Sequence, residues 1–349
     1  MLEENNVNIL SEEFNKRLKQ KMNDLKYIDE KKEIEITQEI ISELKTSLKN
    51  ELTKNISSLI QENKARNLQF CERNYRRWQP AFDLLEAFIQ ICIESGEKFN
   101  KLYRPIAVKS KDIVFDLLVR QHARACQIAQ EILSLMKSGY ADGAYARWRA
   151  LHEVTVIAIF IKKHGQESAE RFYWYDIIES FKLMNKFKIY DDRLQQTGPT
   201  DSELKEYENL YNFLKDKYGK GYTKDYGWAL HLFKKEQLNF TDLEKDVKLD
   251  HWRPYYKWAC QNIHAGPKGI NKKLGLCDTS EELLLVGSSD SGMSIPGHHA
   301  AISLAIITSS LLNIEPNVEV AIILKIIEEM EKEIGEVFDD CDREKIKKK

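Results

Sequence analysis

Apolar residues along this chain recur at intervals of three and four almost throughout, the spacing of one face of a helix. Residues 11–64 carry two such series, Phe14, Leu18, Met22, Leu25, Ile28 and then Ile40, Leu44, Leu48, Leu52, Ile56, Leu59. Each is a narrow stripe on a highly charged background, and the two break near Asp29. The pattern predicts an N-terminal helical arm over 1–64, docking on a partner or on the chain's own body. A boundary is expected at Trp78-Gln-Pro80, because proline suits the first turn of a new helix, and the main domain is taken as 65–349. Within it, Val114, Leu117, Leu118, Ala125, Ile128, Ile132 and Leu135 form the inner face of a helix over 111–137. Ser138-Gly139 supplies a stop, and Asp142 is read as the cap of the next helix. So short a link makes an antiparallel hairpin. Its second helix passes through Val154–Ile161, apolar nearly all round and therefore central, and stops at Lys162-Lys-His-Gly165.

Further helices are expected over 172–190, from a Thr200-Asp-Ser-Glu203 capping box to about 217, from a second box at Thr241-Asp-Leu-Glu244, over 251–264, over 297–312 and over 318–338. Leu283–Val286 is the best strand signal. The fold class is all-α: a multi-helix bundle around a central antiparallel helical hairpin, with an N-terminal helical arm.

Composition narrows the function classes. The 349 residues carry a formal charge of -2, so the broad positive field of a nucleic-acid-coating protein is missing. Six cysteines stand without Cys-x-x-Cys spacing and read as reduced residues of a cytoplasmic protein. No uninterrupted apolar run reaches the ~18 residues of a membrane span, and Ala300–Leu312 is read as a buried core helix. No cofactor or metal is called for. Gly287-x4-Gly292 lacks the Lys-Ser/Thr of a phosphate loop, and the adjacent His298 and His299 diverge on a helix.

Candidate chemistry sits at the start of the central helix, in Arg147-Trp-Arg149-Ala-Leu-His152-Glu153. Arg149, His152 and Glu153 fall on one helical face, where buried charges must be paired. Burial favours neutral His152, whereas the end of a helix dipole favours the charged form of His264. Two histidines biased in opposite directions suit general acid–base work, with Arg147 or Arg149 holding a phosphate or a developing negative charge. The alternative is a satisfied polar knot, in which Arg149, Glu153 and one histidine tie the hairpin to the helix bearing His264.

The blocks Asp142-Gly-Ala-Tyr-Ala-Arg-Trp-Arg-Ala-Leu-His-Glu153, Asn262-Ile-His-Ala-Gly-Pro-Lys-Gly269 and Leu284-Leu-Val-Gly-Ser-Ser-Asp-Ser-Gly292 resemble a bacterial family catalogued as domain of unknown function fifty-six seventy-seven. The resemblance covers roughly 65–315, and it implies a helical protein of the kind found among bacterial defence genes. Arg147-Trp-Arg-Ala-Leu-His152 also resembles the Arg-x4-6-His motif of the HEPN ribonucleases, except that Trp148 stands where those enzymes are usually polar. That likeness implies a metal-independent RNA-cleaving effector of a defence or toxin system, with RNA as substrate. In it, His152 or His264 would act as base and the other as acid, and Arg147 or Arg149 would stabilise the phosphorane. The competing class is a non-catalytic binding or sensing module whose arm meets a second copy or a partner protein. No membrane is implied by either.

Overall fold

A computed structural model describes residues 4–23, 29–264, 266–279 and 283–347. Among the described residues, ten α-helices make the architecture: α1 (Glu4–Asn23), α2 (Glu30–Ser110), α3 (Ile113–Lys137), α4 (Ala141–Leu194), α5 (Asp201–Tyr218), α6 (Phe240–Asp246), α7 (Arg253–Gln261), α8 (Pro267–Asn271), α9 (Ser294–Leu312) and α10 (Val318–Lys347). The described residues are 84% helical and include no strand, and the all-α bundle is as expected. Leu283–Val286, read as a strand, forms none, and Leu284 and Val286 are almost fully exposed. A strand needs a partner strand for its backbone, and there is none among the described residues.

The chain divides into two compact units, Met1–Glu72 and Arg73–Lys349. In the first, α1 and the start of α2 form an antiparallel pair joined by Arg17–Glu43 (3.2 Å), Lys21–Glu39 (3.1 Å) and Lys21–Glu43 (3.0 Å). Asp29 accepts from the backbone N–H of Lys32 and so caps α2. Leu25 and Ile28 lie outside the described residues. The helix boundary expected at Pro80 does not form, for α2 continues through Pro80 and Pro105. Pro80 is exposed, so water can serve the carbonyl that loses its amide partner. Trp78, Phe82, Leu85 and Phe88, all fully buried, hold the surrounding turns in place.

In the second unit the α3–α4 hairpin is central and α9 packs on both of its helices and on α10. Gly139, at φ 85°, makes the turn, with its N–H bonded to Met136 O and that of Tyr140 to Leu135 O. Helix α9 is long and apolar enough to cross a membrane, but it is 61% buried here and serves as a core helix. Lys162 of α4 donates to the carbonyls of Ser310 (2.7 Å) and Asn313 (3.2 Å), which satisfies the open C-terminal end of α9.

Helix α4 is broken in geometry at Gly165, whose φ of 73° and ψ of -155° belong to glycine alone. A Cβ there would meet no atom within 4 Å, so any penalty is pure backbone strain. Gly165→Ala is therefore expected to cost about 1–3 kcal/mol without any packing defect. Thermal unfolding should show a clear drop in midpoint beside unchanged near-UV circular dichroism; an unchanged midpoint would mean that the chain straightens into one helix at no cost.

Candidate functional site

The central polar residues separate into a buried network, a half-buried rim and a distinct cavity. The buried network joins three helices. His152 of α4 is 2% exposed and donates through Nε2 to Glu244 Oε1 of α6 at 3.0 Å. Glu244 is itself fully buried, and its Oε2 accepts from Arg253, the first residue of α7, at 2.7 Å. Because a carboxylate only accepts, the proton on His152 sits on Nε2. Around the imidazole stand Trp148, Phe240 and Tyr256, with ring centroids 5.4, 6.0 and 5.8 Å away.

Glu244 plays a part that the sequence pattern did not suggest. The expected Thr241–Glu244 capping box is displaced by two residues: Asn239 and Asp242 form it, each side chain accepting from the other's backbone N–H. That shift turns Glu244 inward, onto the face of α6 that packs on α4. Arg253, its other partner, is likewise absent from the candidates drawn from the sequence.

The rim is built from Arg149, Glu153 and Tyr256. Arg149 donates to the Tyr256 hydroxyl at 3.0 Å and pairs with Glu153 at 3.0 Å on its own helix, while the Tyr256 hydroxyl donates to Glu153. The guanidinium groups of Arg149 and Arg253 lie 5.2 and 5.0 Å from the Tyr256 ring centroid. Burial, with the Glu153 carboxylate beside it, pushes the Tyr256 phenol well above its usual range. Arg147, two residues away and hence on another side of α4, pairs with Glu131 across the hairpin. Trp148 between them is core: it is 1% exposed, stacks on Tyr145, and donates to His299 O (2.9 Å) and Ser303 Oγ (3.0 Å).

His264 does not join this group, so the expected meeting of Arg149, Glu153 and His264 is not formed. Its helix, α7, ends at Gln261, and His264 stands exposed in the turn that follows. There it lines a cavity of about 550 Å³ at the amino end of α4, with Tyr140, Asn262, Lys273 and several glycines. Asp142 borders the same cavity. Rather than capping α4, it accepts from the N–H groups of Leu274 (2.9 Å) and Gly275 (3.2 Å) and so fastens that loop to the hairpin. The loop is held a second time by Ser289, which donates to Gly275 O from its hydroxyl and to Gly139 O from its backbone.

The adjacent histidines diverge, as expected. His298 faces Glu331 at 3.2 Å, while His299 lies within 6 Å of the rings of Tyr145, Trp148, Trp252 and Tyr255. No group of three or more His, Cys, Asp or Glu able to hold a metal occurs among the described residues.

Residues 115–282 match the model of a family of unknown function, DUF5677. This segment is a DUF5677 domain. It holds almost all of α3, all of α4 to α8, and every member of the buried network and of the rim. The partners of Trp148 on α9 lie beyond it, so the DUF5677 segment completes its core with the next helix of the chain. No curated protein and no solved structure matches.

Proposed function

We propose that the chain is a non-catalytic helical binding or sensing module, in which the Arg/His/Glu cluster is structural. The observation that carries this reading is the state of His152. A general base must reach a substrate hydroxyl directly or through one water, and this imidazole is sealed under Trp148 and Phe240 with its Nε2 proton committed to Glu244. His264, the other half of the acid–base pair, opens onto a separate cavity. In this reading the cavity beside His264, Asn262 and Lys273 is the ligand-facing surface, and the setting is cytoplasmic, where free thiols are maintained. All six cysteines are free.

The competing reading is the metal-independent ribonuclease, and one assay separates the two. Labelled single-stranded RNA is incubated with the purified chain in EDTA, beside His152→Gln and His264→Ala. The module reading expects intact RNA in every lane, with His152→Gln melting below the parent because Glu244 loses its imidazole partner. Cleavage by the parent that disappears in His152→Gln, with its fold intact by circular dichroism, would overturn the module reading and restore the nuclease.

A further inference from the structure

The part of α2 in the N-terminal unit has an apolar side that the described residues leave partly open. Ile36 and Ile40 of α2 are buried, yet from 41 to 72 no residue of that helix is buried. Thirty-two residues of helix span about 48 Å. A helix without tertiary packing is marginal in water, and this one includes β-branched residues and asparagines that favour it little. Its apolar residues are nonetheless ordered. Ile41, Leu48, Leu52, Ile56 and Leu59 fall within an arc of about 80° at 3.6 residues per turn, and Ile41 and Ile56 are 53% and 47% exposed.

Two features of this face fit each other. Toward the start of α2, an open groove of about 560 Å³ runs between it and α1, lined by Leu10, Phe14, Ile41, Leu44 and Leu48. Further along the same side, Leu52, Ile56, Leu59 and Ile60 form a ridge. The groove continues the α1–α2 seam already described, and the ridge continues the groove. A chain with a groove and a matching ridge side by side on one helix is complementary to itself under a two-fold rotation. We infer that α2 is the dimerisation element of this protein, in which the ridge Leu52–Ile60 of each copy fills the groove between α1 and α2 of a second, antiparallel copy.

The charges choose the direction. Lys45 and Lys49 lie on the same side of α2 as the stripe. A parallel pairing would stack each against its own counterpart, which opposes association. An antiparallel pairing centred near Asn50 sets Ile56 against Leu44, Leu52 against Leu48 and Leu59 against Ile41, while Lys45 meets Asn55. Leu52, Ile56 and Leu59 then each have an apolar neighbour, and no lysine faces a lysine.

The test is the solution mass of the full chain by light scattering across a concentration series. The parent should run at twice its chain mass of 40.8 kDa, and the double variant Ile56→Asp/Leu59→Asp should run as a single chain. Both positions are unburied, so far-UV circular dichroism should show the rest of the fold intact. The register is tested by charge rescue. Ile56→Lys and Leu44→Glu should each weaken the dimer alone and restore it on mixing, because the antiparallel pairing brings those two positions together. A parent that stays at a single chain mass throughout overturns the inference. So does a dimer that survives Ile56→Asp/Leu59→Asp, since it must form through another surface.

Discussion

Glu244→Ala will remove about 2–3 kcal/mol of stability, the cost of leaving a buried imidazole N–H without its acceptor. Glu244 is fully buried, and its two oxygens serve Arg253 and His152; Arg253 is 25% exposed and can turn to water, so truncation strands the imidazole N–H of His152. Glu153→Ala provides the internal comparison. The sequence places Arg149 and Glu153 on a central helix and suggests an equally costly pair, but their side chains are 26% and 32% exposed and the pair lies i,i+4 on one helix. Water can take over when one partner goes, and the loss should fall to about 1 kcal/mol. Urea unfolding of both variants beside the parent measures the difference. Equal losses would mean that the Glu244 network is no more desolvated than the rim.

Acid will weaken the fold well before the carboxylates titrate. Burial lowers the pKa of His122 to about 4, and burial with His298 and His152 nearby lowers that of His299 to about 3. An imidazole in the unfolded chain titrates near 6.5, so between that pH and the depressed values the unfolded state binds more protons than the folded one. Stability is therefore complete above about pH 6.5 and is lost as pH falls toward 4 and 3. By pH 5 each histidine should have cost about 2 kcal/mol, which follows from 1.36 kcal/mol per pH unit over the interval crossed. The measurement is the urea midpoint at pH 7.5 and pH 5 for the parent and for His122→Gln. His122 Nε2 lies 3.0 Å from Thr308 Oγ1, a contact that an amide can replace. The gap between the two pH values should narrow by about 2 kcal/mol in the variant. An unchanged gap would assign the acid sensitivity to other groups.

The parts of this fold legible in the sequence are those fixed by local pattern. The α3–α4 hairpin follows from two apolar faces and a Ser138-Gly139 stop, and Gly165 marks the end of the first straight segment of α4. The Thr200–Glu203 box opens α5 as read. Where tertiary packing overrules a local preference, the pattern misleads. Pro80 signals a boundary, but four large buried residues around it carry the helix across. Thr241–Glu244 has the spacing of a capping box, but Asn239 and Asp242 compete for the same role and win it, which frees Glu244 for the core.

The candidate site was legible only on α4. Its partners Glu244 and Arg253 lie about a hundred residues away, and nothing periodic in the sequence fixes where α6 and α7 dock. The position of His264 is illegible for the same reason. A helix running to 264 would have carried it along α7, whereas the helix ends at Gln261 and the turn beyond leads outward to the cavity.

Asp142 shows how narrow the choice of side chain becomes when one residue fastens a loop. Its two carboxylate oxygens each take a different backbone N–H, from Leu274 and Gly275. Asparagine has the same shape but would turn its own NH₂ toward one of those donors, leaving two hydrogens facing each other. Glutamate has the right oxygens on a stem one methylene too long for a loop already held by Ser289. Of the natural side chains, aspartate alone offers two acceptors at this reach, so the tether is written into a single position near the start of α4.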